Sequence, residues 1–103
     1  MRYIGSPMEL QGFSERLRAA IDAADITIAE TARLSRLSLN TVQFYLSGRR
    51  DNPTGENVLA LSSVLGCTAG WLLAGEGSAP SAKAVRAAVE RARKASSDVA
   101  AEG

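Results

Sequence analysis

With 103 residues, 46% of them hydrophobic, the chain is long enough for one small domain and a modest core. Its 12 Lys and Arg against 11 Asp and Glu leave a net charge of +1, which argues against a protein that coats nucleic acid indiscriminately. There is no histidine and one cysteine, Cys67, which removes His-based acid–base chemistry, Ser-His and Cys-His pairs, thiolate clusters and disulfides within the chain; neither catalysis nor a cofactor or metal is expected.

Residues 1–12, with Gly5, Pro7 and Gly12, read as a flexible lead-in. The opening MRYIGSPMEL lacks the apolar centre of a signal peptide, and no apolar run approaches the ~18 residues of a membrane span, so a soluble cytoplasmic protein is expected. Phe13, Leu17, Ala20, Ile21 and Ala24 recur at helical spacing and predict a first amphipathic helix, closed by Asp25. Thr27 is placed to cap a second helix through Ala29, Ala32 and Leu34. Ser38 is placed to cap a third over about 38–46, its oxygen able to accept the amide of Asn40 or Thr41. Only Ser35 to Leu37 lie between these two, the turn length of a DNA-reading helix-turn-helix. Arg33, Arg36, Arg49 and Arg50 fall between positions 31 and 50 and no acid does, whereas residues 1–75 as a whole hold seven basic and seven acidic side chains. Attraction to phosphate must therefore come from where the arginines sit, which fits a selective reader better than a packaging protein.

A turn-rich loop from Gly48 to Pro53 follows. Thr54 then caps a fourth helix with Val58, Leu61 and Leu65 on one face, ended by Gly66. Thr68 caps a short fifth helix, ended by Gly75, in which Trp71, Leu72 and Leu73 read as core. Residues 76–80 form a linker, and Ser81 caps an Ala-rich helix to about Ser96 that frays into a tail at 103. Val85, Ala88, Val89 and Ala92 make a narrow small-residue stripe on it, opposite Lys83, Arg86, Arg91, Arg93 and Lys94; the stripe suits either its own domain or a second copy. There is no strand pattern, and the chain is expected to be all-α.

Several of these residues together resemble the lambda-repressor-like (Cro/C1-type, XRE) helix-turn-helix family of phage repressors, Cro proteins and small bacterial regulators. The similar elements are Phe13…Leu17, Thr27…Ala32…Leu34, Leu37-Ser38…Thr41-Val42…Tyr45…Gly48, Pro53-Thr54 and Leu61…Leu65-Gly66…Trp71-Leu72-Leu73…Gly75. The resemblance implies a five-helix DNA-binding domain over 13–75, with the 76–80 linker and the 81–103 helix and tail added to it. Three positions depart from the family pattern: Ile28 stands where a phosphate-holding Gln is frequent, Thr31 where a Leu usually precedes the Ala, and Arg36 at the usual turn Gly. A left-handed backbone costs a non-Gly residue roughly 1–2 kcal/mol, so Arg36 either accepts that strain or shifts the turn.

A recognition helix over 38–46 would enter the major groove with Leu39, Asn40, Gln43 and Phe44 outward and Val42 and Tyr45 inward. Asn40 and Gln43 match the N6 and N7 of adenine; Leu39 and Phe44 suit thymine methyls, although Phe44 reads nearly as well as core. Phosphate contacts are expected from Thr27, Ser38, Thr41, Ser47, Arg49, Arg50 and the helix start at Thr54 and Asn57, with a solvated basic turn as the plain alternative for the arginine pair. The resulting expectation is a sequence-specific binder of a double-stranded DNA operator, most simply a repressor, acting as a weak homodimer that DNA assists. Tighter pairing would draw on the fifth helix around Leu73, as the resemblance implies. The alternative is an antitoxin-like interaction module that binds a protein partner through residues 81–96.

Overall fold

The computed structural model describes residues 12–48 and 53–102, with side chains described as far as Ser96. Six helices follow in order: α1 (Phe13–Ala24), α2 (Ile28–Ser35), α3 (Leu39–Ser47), α4 (Gly55–Leu65), α5 (Ala69–Ala74) and α6 (Ala82–Glu102). Among the described residues there is no strand. The helix starts follow one local chemistry. Thr27, Ser38, Thr54 and Thr68 each sit in extended backbone and accept the amide three residues on through the side-chain oxygen. Ser81 does the same for Ala84 at 3.0 Å. The predicted turn keeps its length but moves by one residue: Ser35 is the last of α2, and Arg36, Leu37 and Ser38 connect it to α3.

The core is built from every one of these helices. Leu17, Ile21, Val42, Tyr45, Val58, Leu61, Leu65 and Leu72 belong to a single buried cluster, and Val85 and Val89 of α6 complete it. Trp71 and Leu72 are buried as the sequence implied, but Leu73 is not; it is 44% exposed, because the helix turns it away from α1 and α4. Thr31 is fully buried and donates its hydroxyl to the Thr27 carbonyl at 2.9 Å, which satisfies the polar group that replaces a leucine. Ile28 packs half-buried against the core.

The structure settles the use of the α6 stripe. Val85, Ala88 and Val89 are buried against the chain's own α1 and α4 and Ala92 is partly buried, so the stripe packs on its own domain. Burying two valines is worth roughly 3–6 kcal/mol as an upper bound. Close approach makes this possible at Gly66, where an added Cβ would lie 2.7 Å from the Ala88 Cβ and 2.9 Å from the Ala84 carbonyl oxygen. The same glycine ends α4 with φ +69°, so two independent constraints exclude a side chain there. The helix also runs on to Glu102 instead of ending near Ser96, since no Gly or Pro interrupts its Ala-rich sequence.

Polar contacts fix the angle of α6. The Arg93 guanidinium grips Glu30 of α2 in a two-pronged pair, with Nε donating to Oε2 at 2.6 Å and Nη2 to Oε1 at 2.9 Å. Arg86 donates to the Ala23 carbonyl at the end of α1, at 3.3 Å, and Arg33 reaches Ser96 at 3.4 Å. Hydrogen bonding from Arg93 holds the Glu30 carboxyl below its ordinary pKa. The pair therefore adds stability at neutral pH and loses it as pH falls through the lowered Glu30 value. Replacing Glu30 with Gln should lower Tm at pH 7 in thermal melts. That gap between variant and parent should close as the buffer is taken into the acid range where Glu30 itself is protonated.

Candidate nucleic-acid interface

The second and third helices form one unit because their junction is closed tightly. Arg36 takes the left-handed backbone, with φ 61° and ψ 37°, and so accepts the strain of a non-glycine turn. Its amide donates to the Arg33 carbonyl at 3.2 Å, and the amide of Leu37 donates back to Ala32 at 2.9 Å, a helix end that offsets part of that strain. Leu37 is half-buried against the core, which sets the direction in which α3 leaves.

On α3 the inner and outer faces separate cleanly. Val42, Tyr45 and Leu46 are buried. Tyr45 meets the Phe13 ring of α1 edge-on, with centroids 5.4 Å apart, and its hydroxyl accepts a hydrogen bond from the Asn57 side chain of α4 at 2.8 Å. The outer face presents Leu39, Asn40, Gln43 and Phe44 together, all four exposed. Leu39 is 44% and Phe44 39% exposed, so Phe44 belongs to the surface and not to the core. Two carboxamides flanked by two apolar groups can read hydrogen-bonding edges and methyl groups, and they carry no charge of their own.

A family model described as helix-turn-helix matches residues 17–72, from inside α1 to α5. The chain belongs to the Cro/C1-type helix-turn-helix family. Its members are DNA-binding transcription regulators and typically not enzymes. Neither the curated proteins nor the solved structures contain a significant match to the chain.

In this helix-turn-helix the cap hydroxyls have a defined capacity. A hydroxyl accepts twice and donates once. Thr27 and Thr54 spend acceptor capacity on the amides of Glu30 and Asn57, and each keeps a proton to give. Ser38 and Thr41 lie 2.8 Å apart and share one proton between them, which leaves the other available. Ser47 instead donates to the Phe44 carbonyl at 2.9 Å, so a phosphate contact there requires the hydroxyl to turn. Asn57 is committed inward: its side chain holds Tyr45 and its backbone amide is capped by Thr54. The side chain that the helix start turns toward the core is the one that locks α3. Arg49 and Arg50 lie outside the described residues.

Arg16 and the Glu30–Arg93 pair were not legible in the sequence. Arg16 is 3% exposed, and it donates to the Leu72 carbonyl at 2.9 Å and the Leu73 carbonyl at 2.7 Å, closing the end of α5. Desolvation lowers its pKa from the ordinary arginine value. A basic residue on the apolar face of α1, one place before Leu17, was the available signal for an internal partner. Cys67 is half-buried, and burial pushes its thiol up to about 11, so it is protonated at neutral pH. Among the described residues no group of His, Cys, Asp and Glu side chains could hold a metal ion, and no helix is long and apolar enough to cross a membrane.

The Tyr45–Asn57 bond is open to a direct check. Tyr45→Phe keeps the ring against Phe13 but leaves a half-buried amide without its acceptor, and should cost about 0.5–1.5 kcal/mol in urea denaturation.

Proposed function

We propose that the chain is a sequence-specific, double-stranded-DNA-binding transcription regulator that places α3 in the major groove and acts as a repressor by occupying its operator. The observation that carries this reading is the joint exposure of Leu39, Asn40, Gln43 and Phe44 on a helix whose other face is locked into the core. Asn40 and Gln43 take the N6 and N7 of adenine, and Leu39 and Phe44 take thymine methyls, so half-sites rich in A·T are expected. The protons of Thr27 and Thr54 and the one left on the Ser38–Thr41 pair suit phosphate oxygens, with Arg36 on the turn and Arg49 and Arg50, which follow α3 in the sequence, supplying charge. Self-association through the exposed Leu73 of α5 would place two recognition helices on one operator. A single exposed leucine is a small contact, which makes the dimer weak and dependent on DNA.

The test is selection of bound sites from random duplexes. An A·T-rich palindrome with half-sites about one helical turn, roughly 34–36 Å, apart supports both parts of the reading, and failure to enrich any motif overturns it. Asn40→Ala or Gln43→Ala should cost about 1–3 kcal/mol on the selected site and relax preference at one or two bases, whereas loss that is equal on random DNA would move these residues out of base reading. Arg49→Ala should weaken all sequences alike and reduce the slope of log K against log salt by about one unit.

A further inference from the structure

Beside α6, on residues the DNA reading does not use, the chain encloses a hollow of about 270 Å³ that is open on one side. It exists because its walls are small: Ala19, Ala20 and Ala23 come from α1, and Ala79 and Pro80 from the segment that leads into α6. Val85 forms part of the floor. By comparison, a dry apolar cavity of roughly 150 Å³ is enough to hold benzene. Two polar groups interrupt the apolar lining. Asp22 is exposed at the wall, is the only charged residue there, and makes no side-chain ion pair or hydrogen bond among the described residues. Trp71 is 5% exposed, and its indole N–H likewise finds no acceptor among the described residues. Arg86, a cation of the same region, is turned onto the Ala23 carbonyl and is not part of the wall.

We propose that this hollow is a binding site for a compact aromatic amine: an apolar ring against the alanines, an ammonium group for Asp22 and a hydrogen-bond acceptor for the Trp71 indole. The ligand would touch α1, α5 and the entry to α6 at once, so its binding holds α6 in its docked position and raises Tm with ligand concentration. No lining residue comes from α3, and occupancy leaves the outward face of that helix free.

Trp71 is the only tryptophan of the chain, so one indole N–H resonance reports the site. Tyramine, which has a ring, an ammonium group and a phenolic oxygen, should shift that resonance saturably and raise Tm. Its carboxylate counterpart, 3-(4-hydroxyphenyl)propionate, should bind at least several-fold more weakly. Asp22→Asn, a change at an exposed side chain, should remove the preference between the two probes. Ala23→Leu should fill the hollow and abolish the saturable shift, with circular dichroism to establish that the variant is folded; should it not fold, the Asp22→Asn comparison decides alone. A shift that grows linearly with tyramine, or equal binding of both probes to the parent protein, overturns the proposal.

Discussion

Tyr45 is the constraint on which the placement of α3 depends. A nine-residue helix is too short to be stable alone in water, so α3 exists only because its inner face is held. The Tyr45 ring packs edge-on against Phe13 of α1 and its hydroxyl binds Asn57 of α4, so one side chain ties α3 to two other helices. Both contacts are specific in direction as well as in distance, and they fix the rotation of α3 about its axis. That rotation is what turns Asn40 and Gln43 outward. The fixed direction of the outward side chains thus comes from the opposite face of the helix.

The sixth helix extends the same core instead of standing apart from it. Its valines close the gap between α1 and α4, Gly66 permits the approach, and Arg93 and Arg86 attach it to α2 and α1. In a domain of this size the extra buried surface is a sizeable part of the stability, because small domains leave much of their apolar area in water. Docking also gives two cations of α6 a partner on the domain, although Arg86 stays exposed and Arg93 partly so. The basic character of the α6 sequence is therefore partly structural. It serves to neutralise Glu30 and to satisfy the last turn of α1.

Charge is divided over this surface by position. The outward face of α3 has no formal charge, while Arg36 stands at the turn before it. Neutral groups at the centre with cations at the flank suit a duplex, whose bases lie between two lines of phosphate. Arg36 also shows how a departure from the family pattern is absorbed. The residue adopts the left-handed conformation of a glycine, and the two backbone hydrogen bonds of the turn hold it there.

Much of this was written locally. Helix caps, terminators and the period of apolar residues act over three or four positions, so Thr27, Ser38, Thr54, Thr68, Gly66 and Gly75 marked the element ends before any packing was known. The inward turn of Val42 and Tyr45 and the outward turn of Asn40 and Gln43 follow from the same periodicity. Other features needed the fold. Asn57 at a helix start looks free to any ligand until α3 brings Tyr45 to it, Phe44 and Leu73 are apolar yet face outward, and Glu30 meets Arg93 across 63 positions of chain. The sequence by itself determined where the helices start and most of the residues that share a face, because those are near-neighbour interactions. Only the tertiary structure decided which faces meet, and hence that the stripe of α6 is spent on its own core, because contact between distant segments depends on how all the helices pack at once.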